Sequence, residues 1–121
     1  MNHIEGKYVF LSGPMTGIEH YNVGAFAIAQ AICKEHGAKR VYNPTDRWLR
    51  ETAAESALKT HEDYLATTIC ELTRRDFGEA LYEVVVLLPG WAESAGAKTE
   101  YEVARACGIK CIDLCDIEDD V

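Results

Sequence analysis

A chain of 121 residues, 48% of them hydrophobic, is long enough to bury one core and too short for two. Its 12 Lys and Arg against 20 Asp and Glu give a formal net charge of −8, a poor balance for gripping a nucleic-acid backbone, which needs clustered cations. The apolar share excludes wholesale disorder, and no run approaches the roughly 20 apolar residues that cross a bilayer.

Residues 1–121 therefore read as a single domain. Met1 to Lys7 lacks the basic and apolar regions of a signal peptide. Five cysteines, an odd number, argue against a disulfide framework, so a reducing cytoplasm is the expected location. Tyr8 to Leu11 is a short β-prone run that stops at Ser12-Gly13-Pro14, opening a loop to Gly17. From Asn22, a candidate N-cap, Phe26, Ala29, Ile32 and Cys33 recur at helical spacing until Gly37. Lys39 to Tyr42 is a second strand, closed by Asn43-Pro44, and Asp46 to Leu58 reads as a loop with a weak helix. Thr60 to Leu81 is expected to be one long helix, with a break near Gly78 as the alternative.

Val84-Val85-Val86-Leu87-Leu88 is an unbroken apolar run ended by Pro89-Gly90. Continuous hydrophobicity, unlike alternation, marks a strand covered on both faces, as in a parallel sheet. A loop from Trp91, a helix from Gly96 to Cys107 stopped by Gly108, and a strand from Ile109 to Leu114 follow, with a frayed acidic tail from Asp116. Strands alternating with helices predict an α/β fold: a small Rossmann-like three-layer domain with a mostly parallel sheet of four to five strands. Ligands of such sheets bind beyond the carboxyl ends of the strands, which brings Ser12–Gly17, Asn43–Trp48 and Pro89–Gly96 to one mouth.

Stepping about 100° per residue along the helix from Gly96 places Lys98, Glu102 and Arg105 on a charged face. Ala97, Val103, Ala104 and Cys107 fall opposite, and Glu100 lies in the middle of their apolar arc. A buried carboxylate costs several kcal/mol unless compensated. Glu100 is thus either a structural acid satisfied by nearby donors or a reactive acid facing the crevice, kept ionised by the helix N-terminus. Along the preceding helix, Leu58, Leu65, Ile69 and Leu72 form a stripe from which Asp76 is expected to project inward. Alone, Asp76 also reads as an acid at a fraying terminus or a partner of Arg74 or Arg75.

The Ser12–Gly17 loop can offer backbone N–H groups and hydroxyls to an anion or sugar, or be an ordinary strand-to-helix turn. It matches neither the dinucleotide fingerprint nor the P-loop. Cys107, Cys111 and Cys115 are spaced by four, but Gly108 interrupts them and no Cys-x-x-Cys occurs, so no metal site is expected. Trp91 stands beside the crevice, either to stack on a planar base or to pack on the adjacent helix.

Leu11-Ser12-Gly13-Pro14-Met15-Thr16-Gly17, Asn22 with Phe26, Asn43-Pro44, and Leu87-Leu88-Pro89-Gly90-Trp91 followed by Ser94-Ala95-Gly96-Ala97-Lys98-Thr99-Glu100 together resemble the nucleoside 2-deoxyribosyltransferase-like superfamily. Within it, a branch of small bacterial and phage proteins is the most similar. The likeness runs from about Lys7 to Leu114, and Pro89 to Ala104 is its most specific block.

The resemblance implies that Glu100, four residues after Gly96 and four before Ala104, is the nucleophile, and that Asp76 is an active-site acid. At the position six before the nucleophile, Ser94 stands where the nucleoside transferases carry Asp and the related deoxynucleoside 5′-monophosphate N-glycosidases carry Ser. A serine can donate to a phosphate that an aspartate would repel. The implied activity is cleavage or transfer of the N-glycosidic bond of a 2′-deoxyribonucleoside or its 5′-monophosphate. It would run through a deoxyribosyl-Glu100 intermediate with no metal or organic cofactor. Ser12, Gly13 and Ser94 would hold sugar or phosphate, Met15 and Trp91 would wall in the base, and Asn22 and Gly96 would also belong to the substrate-binding set. The implied partners are a small nucleoside or nucleotide and further copies of the chain, at least a homodimer, with no nucleic-acid polymer and no membrane. A nucleotide-binding module that lost turnover, and hydrolysis of a ribosyl bond in a dinucleotide, remain alternatives.

Overall fold

A computed structural model describes residues 4–15, 22–46 and 61–118. Tyr8–Ser12 forms β1, Val23–Glu35 α1 and Arg40–Tyr42 β2. His61–Leu72 is α2, followed by a hairpin of β3 (Arg75–Asp76) and β4 (Glu79–Ala80). Val84–Leu87 is β5, Trp91–Glu93 a turn of 3-10 helix, Ala95–Ala106 α3, Lys110–Asp113 β6 and Leu114–Glu118 α4. Among these elements no helix is long and apolar enough to cross a membrane.

The four main strands pair in the order β2-β1-β5-β6, all parallel. The α/β class and the four-stranded parallel sheet are those read from the sequence. Every residue of β5 is buried, because strand order puts it inside the sheet and helices cover both faces. Side chains of a strand alternate between faces, and the core divides accordingly. Val9, Leu11, Val84, Val86 and Leu88 pack with Phe26, Ala29 and Cys33 of α1 and with Leu114 and Ile117 on one side. Phe10, Val85 and Leu87 pack with Leu72 of α2 and Ala104 of α3 on the other. On that second face Phe10 stacks on Tyr42 at 5.0 Å between ring centroids and meets Tyr82 edge-on at 5.6 Å, geometries that add to plain area burial.

Two expectations are corrected. The long helix ends at Leu72: Arg74 N–H turns back to the Glu71 carbonyl, and the chain reverses at Phe77-Gly78, both with positive φ (52° and 83°). That pair of left-handed residues is the two-residue hairpin turn whose twist matches its strands. Helical periodicity therefore stops before Asp76. The acidic tail is not frayed from Asp116, since α4 runs to Glu118 and Ile117 is buried in the core. The weak helix expected between Asp46 and Leu58, together with Thr16, Gly17 and Trp48, lies outside the described residues.

Parallel topology sets the ends of β2, β1, β5 and β6 along one edge. There the loops after β1 and β5 are pressed together. Leu88 N–H donates to the Ser12 carbonyl at 2.8 Å. A Cβ on Gly13 would sit 2.7 Å from Leu88 Cβ, so only glycine fits without displacing one strand end. Across the gap, a Cβ on Gly90, whose φ is 87°, would lie 3.4 Å from Pro14 Cγ.

Candidate functional site

Ser12 is the last residue of β1, on the Phe10 side of the sheet by alternation, which is the face that α2 and α3 cover. Its hydroxyl donates to Glu100 Oε1 at 2.6 Å. Glu100 is buried with Ala97 and Ala104 on the inner stripe of α3, at 8% exposure, as the helical phase predicts. From α2, Thr68, 3% exposed, is hydrogen-bonded to the same carboxyl. Its hydroxyl also lies 3.1 Å from the Leu65 carbonyl. A threonine has one hydroxyl proton to divide between these acceptors.

Burial pushes the Glu100 carboxyl above its ordinary range, and the hydrogen bonds with Ser12 and Thr68 offset this only in part. The expectation that the helix N-terminus keeps Glu100 ionised is therefore corrected. Glu100 is the sixth residue of α3, and the terminal field falls off within the first turn.

Ser94 caps α3, its oxygen accepting from Ala97 N–H at 3.2 Å. That bond uses the Ser94 oxygen as acceptor and does not consume its hydroxyl proton. Gly96 stands half-buried in the first turn behind it. Asn22 holds the N-cap position of α1 but does not cap through its side chain: its backbone is left-handed (φ 64°), and its Nδ2 donates to the Pro14 carbonyl at 3.0 Å. It fastens the Ser12 loop to α1 instead. Asn43 closes β2 by accepting from Thr45 N–H and the Thr45 hydroxyl while donating to Gln30.

Three expected residues are not brought together with Glu100. Asp76 is exposed on the β3–β4 hairpin, paired in register with Glu79, and the hairpin joins the sheet at the amino end of β5. The inward orientation expected of Asp76 is thus corrected, because the stripe it was phased on ends at Leu72. Trp91 packs against Tyr101 of α3 at 4.8 Å and donates from Nε1 to Asp113 at 3.1 Å. Of its two readings, packing on the adjacent helix is the observed one. Met15 packs with the α1-side core and Trp91 with the α3-side core.

Thr68 escaped the sequence reading. Its signal was a hydroxyl three residues after Leu65 and four before Leu72, on the buried stripe of α2. Among the described residues no three His, Cys, Asp or Glu side chains gather as a metal-holding group.

A family model described as a domain of unknown function, DUF4406, matches residues 7–113. The chain belongs to the DUF4406 family. The matched span takes in β1 to β6, and with them the residues that gather around α3: Ser12, Thr68, Ser94 and Glu100. No curated protein matches the chain.

Proposed function

We propose that the chain cleaves or transfers the N-glycosidic bond of a 2′-deoxyribonucleoside or its 5′-monophosphate, with Glu100 as nucleophile. One observation carries the reading. A buried carboxyl, oriented by the Ser12 hydroxyl at 2.6 Å, stands at the carboxyl edge of a parallel sheet, within the Gly96–Glu100–Ala104 frame that resembles the deoxyribosyltransferase-like superfamily.

Breaking the C1′–N bond develops positive charge at C1′ and negative charge on the base. In the proposed step ionised Glu100 bonds C1′ through one carboxylate oxygen as the C1′–N pair leaves with the base, which takes a proton from water. Water then attacks C1′ of the ester and releases deoxyribose with Glu100 restored, or the nitrogen of a second base does so and completes a transfer. Ser12 orients the attacking carboxylate and Thr68 braces its other side. Asp76 has no part in this version, since it lies on the hairpin. The Ser94 hydroxyl and the N-terminal N–H groups of α3 form the phosphate end of the pocket, with the backbone at Gly13 lining the sugar. A protein of charge −8 holds an anion only through such local donors, which suits a small nucleotide and not a polymer.

A second reading is a nucleotide-binding module without turnover, favoured by the burial that holds the Glu100 carboxyl neutral to higher pH. Incubation with a panel of deoxynucleosides and their monophosphates, followed by chromatography for free base, separates the two. Release abolished by Glu100→Gln supports the enzyme. Release that persists in Glu100→Gln contradicts the proposed nucleophile, and tight binding with no release supports the module.

A further inference from the structure

At the carboxyl ends of β5 and β6 a cavity of about 210 Å³ opens, with walls that include Leu88, Pro89, Trp91 and Leu114. None of Ser12, Thr68, Ser94 and Glu100 lines it, which sets it apart from the site already described. The charged groups in its lining are two carboxylates, Glu93 and Asp113. Among the described residues no Lys, Arg or His joins them there.

We propose that this cavity binds a small organic cation, a ring-sized apolar body carrying a protonated or quaternary amine. Size limits the body. A cavity of about 150 Å³ already accommodates benzene, so this one takes a six-membered ring with a short arm. Charge chooses the head group. Two carboxylates beside an apolar wall repel an anion and attract a cation, and a chain of net charge −8 concentrates cations around itself. The indole of Trp91 adds to this, since an electron-rich ring attracts an ammonium group that comes over it.

Local packing fixes these groups in advance. Asp113 ends β6 in register with Leu87, and alternation puts it on the same face as Cys111, towards α3. There its Oδ1 accepts from Trp91 Nε1 at 3.1 Å. Trp91 in turn lies against Tyr101 of α3, with 4.8 Å between ring centroids. Indole and carboxylate therefore hold their places before a ligand arrives, which lowers the ordering cost of binding. An ionised carboxylate has about four acceptor sites. Trp91 takes one, so Asp113 still has acceptors for an ammonium hydrogen. The proposal is independent of the glycosidic reading.

Probes that share one body and differ in charge test it: phenethylammonium, phenethyl alcohol and phenylacetate. Each is titrated into the protein and followed by NMR at the Trp91 indole N–H and at the amides of Trp91–Glu93 and β6. The ammonium probe is expected to shift these signals and to bind about tenfold more tightly than the alcohol, the gain of one exposed ion pair with a cation–π contact. Phenylacetate should bind most weakly. Asp113→Asn keeps an acceptor for Trp91 and removes the charge. It should bring the ammonium probe close to the alcohol while leaving the affinity for the alcohol unchanged, which a loss of structure would not do. Thermal unfolding of Asp113→Asn checks that the fold is kept. If it is not, Glu93→Gln gives the same comparison, with an expected loss of about twofold to threefold for the ammonium probe alone. Failure of the ammonium probe to bind, equal affinity for the alcohol, or an advantage undiminished by both substitutions would each overturn the proposal. Shifts gathered around Glu100 instead of Trp91 would overturn the location.

Discussion

Replacing Glu100 with glutamine should stabilise the protein, and by an amount that grows with pH. Folding takes the carboxyl from water to 8% exposure with hydroxyls from Ser12 and Thr68 as its polar company. The folded pKa lies above the unfolded one, about 4.3, so between the two values the native state binds more protons than the unfolded chain. Stability from this group is then complete below pH 4 and is lost as pH rises through the folded pKa. Glutamine has the same shape, accepts from Ser12 and donates to Thr68, and does not titrate. Ionising a buried carboxylate that keeps two hydrogen bonds costs about 1–3 kcal/mol. At about 4 °C per kcal/mol for a domain of this size, Glu100→Gln should melt roughly 4–12 °C above wild type at pH 8 and within about 2 °C of it at pH 4. Calorimetry or circular-dichroism melting at the two pH values checks this. A variant less stable than wild type at pH 8, or an offset equal at both, would refute the assignment of Glu100 as a carboxyl strained by burial.

Other expectations follow from neighbouring residues. Thr68→Val keeps shape and burial but removes a hydroxyl from Glu100; it should cost about 1–2 kcal/mol at neutral pH and raise the Glu100 pKa, read by carboxyl-carbon NMR, whereas Thr68→Ser should restore both. Gly13→Ala puts a Cβ 2.7 Å from Leu88 Cβ and should destabilise by about 1–3 kcal/mol in denaturant titrations, with any base release falling because Ser12 moves. Ser94→Ala removes the cap of α3 and should cost about 1 kcal/mol; a substrate 5′-phosphate would show as a KM rise for the monophosphate that the nucleoside does not share.

Legibility in the sequence followed the length of the pattern. Val84 to Leu88 announced a strand buried on both faces, and the turn residues around it placed the mouth at its carboxyl end. Glu100 could be found because α3 keeps strict helical phase from Ala97 to Ala104, so an acid out of place is visible. The same reasoning misplaced Asp76, where helical phase was extended past Leu72 into a hairpin made by Phe77-Gly78. Phe77 at positive φ is an unusual hairpin residue, and no propensity marks it. Thr68 was hidden for the opposite reason, since threonine is unremarkable on a half-buried stripe and its partner is remote in sequence. Asn22 looked like a cap because asparagine favours that position; its bond to Pro14 depends on a loop conformation that local sequence does not encode.

The central claim is that Glu100 reacts covalently. With the deoxynucleoside or monophosphate that releases base fastest, acid quenching during turnover and mass spectrometry of the digested protein should find a deoxyribosyl adduct on the peptide carrying Glu100. Glu100→Gln should give neither adduct nor free base. An adduct on another residue, or base released at the wild-type rate by Glu100→Gln, would contradict it.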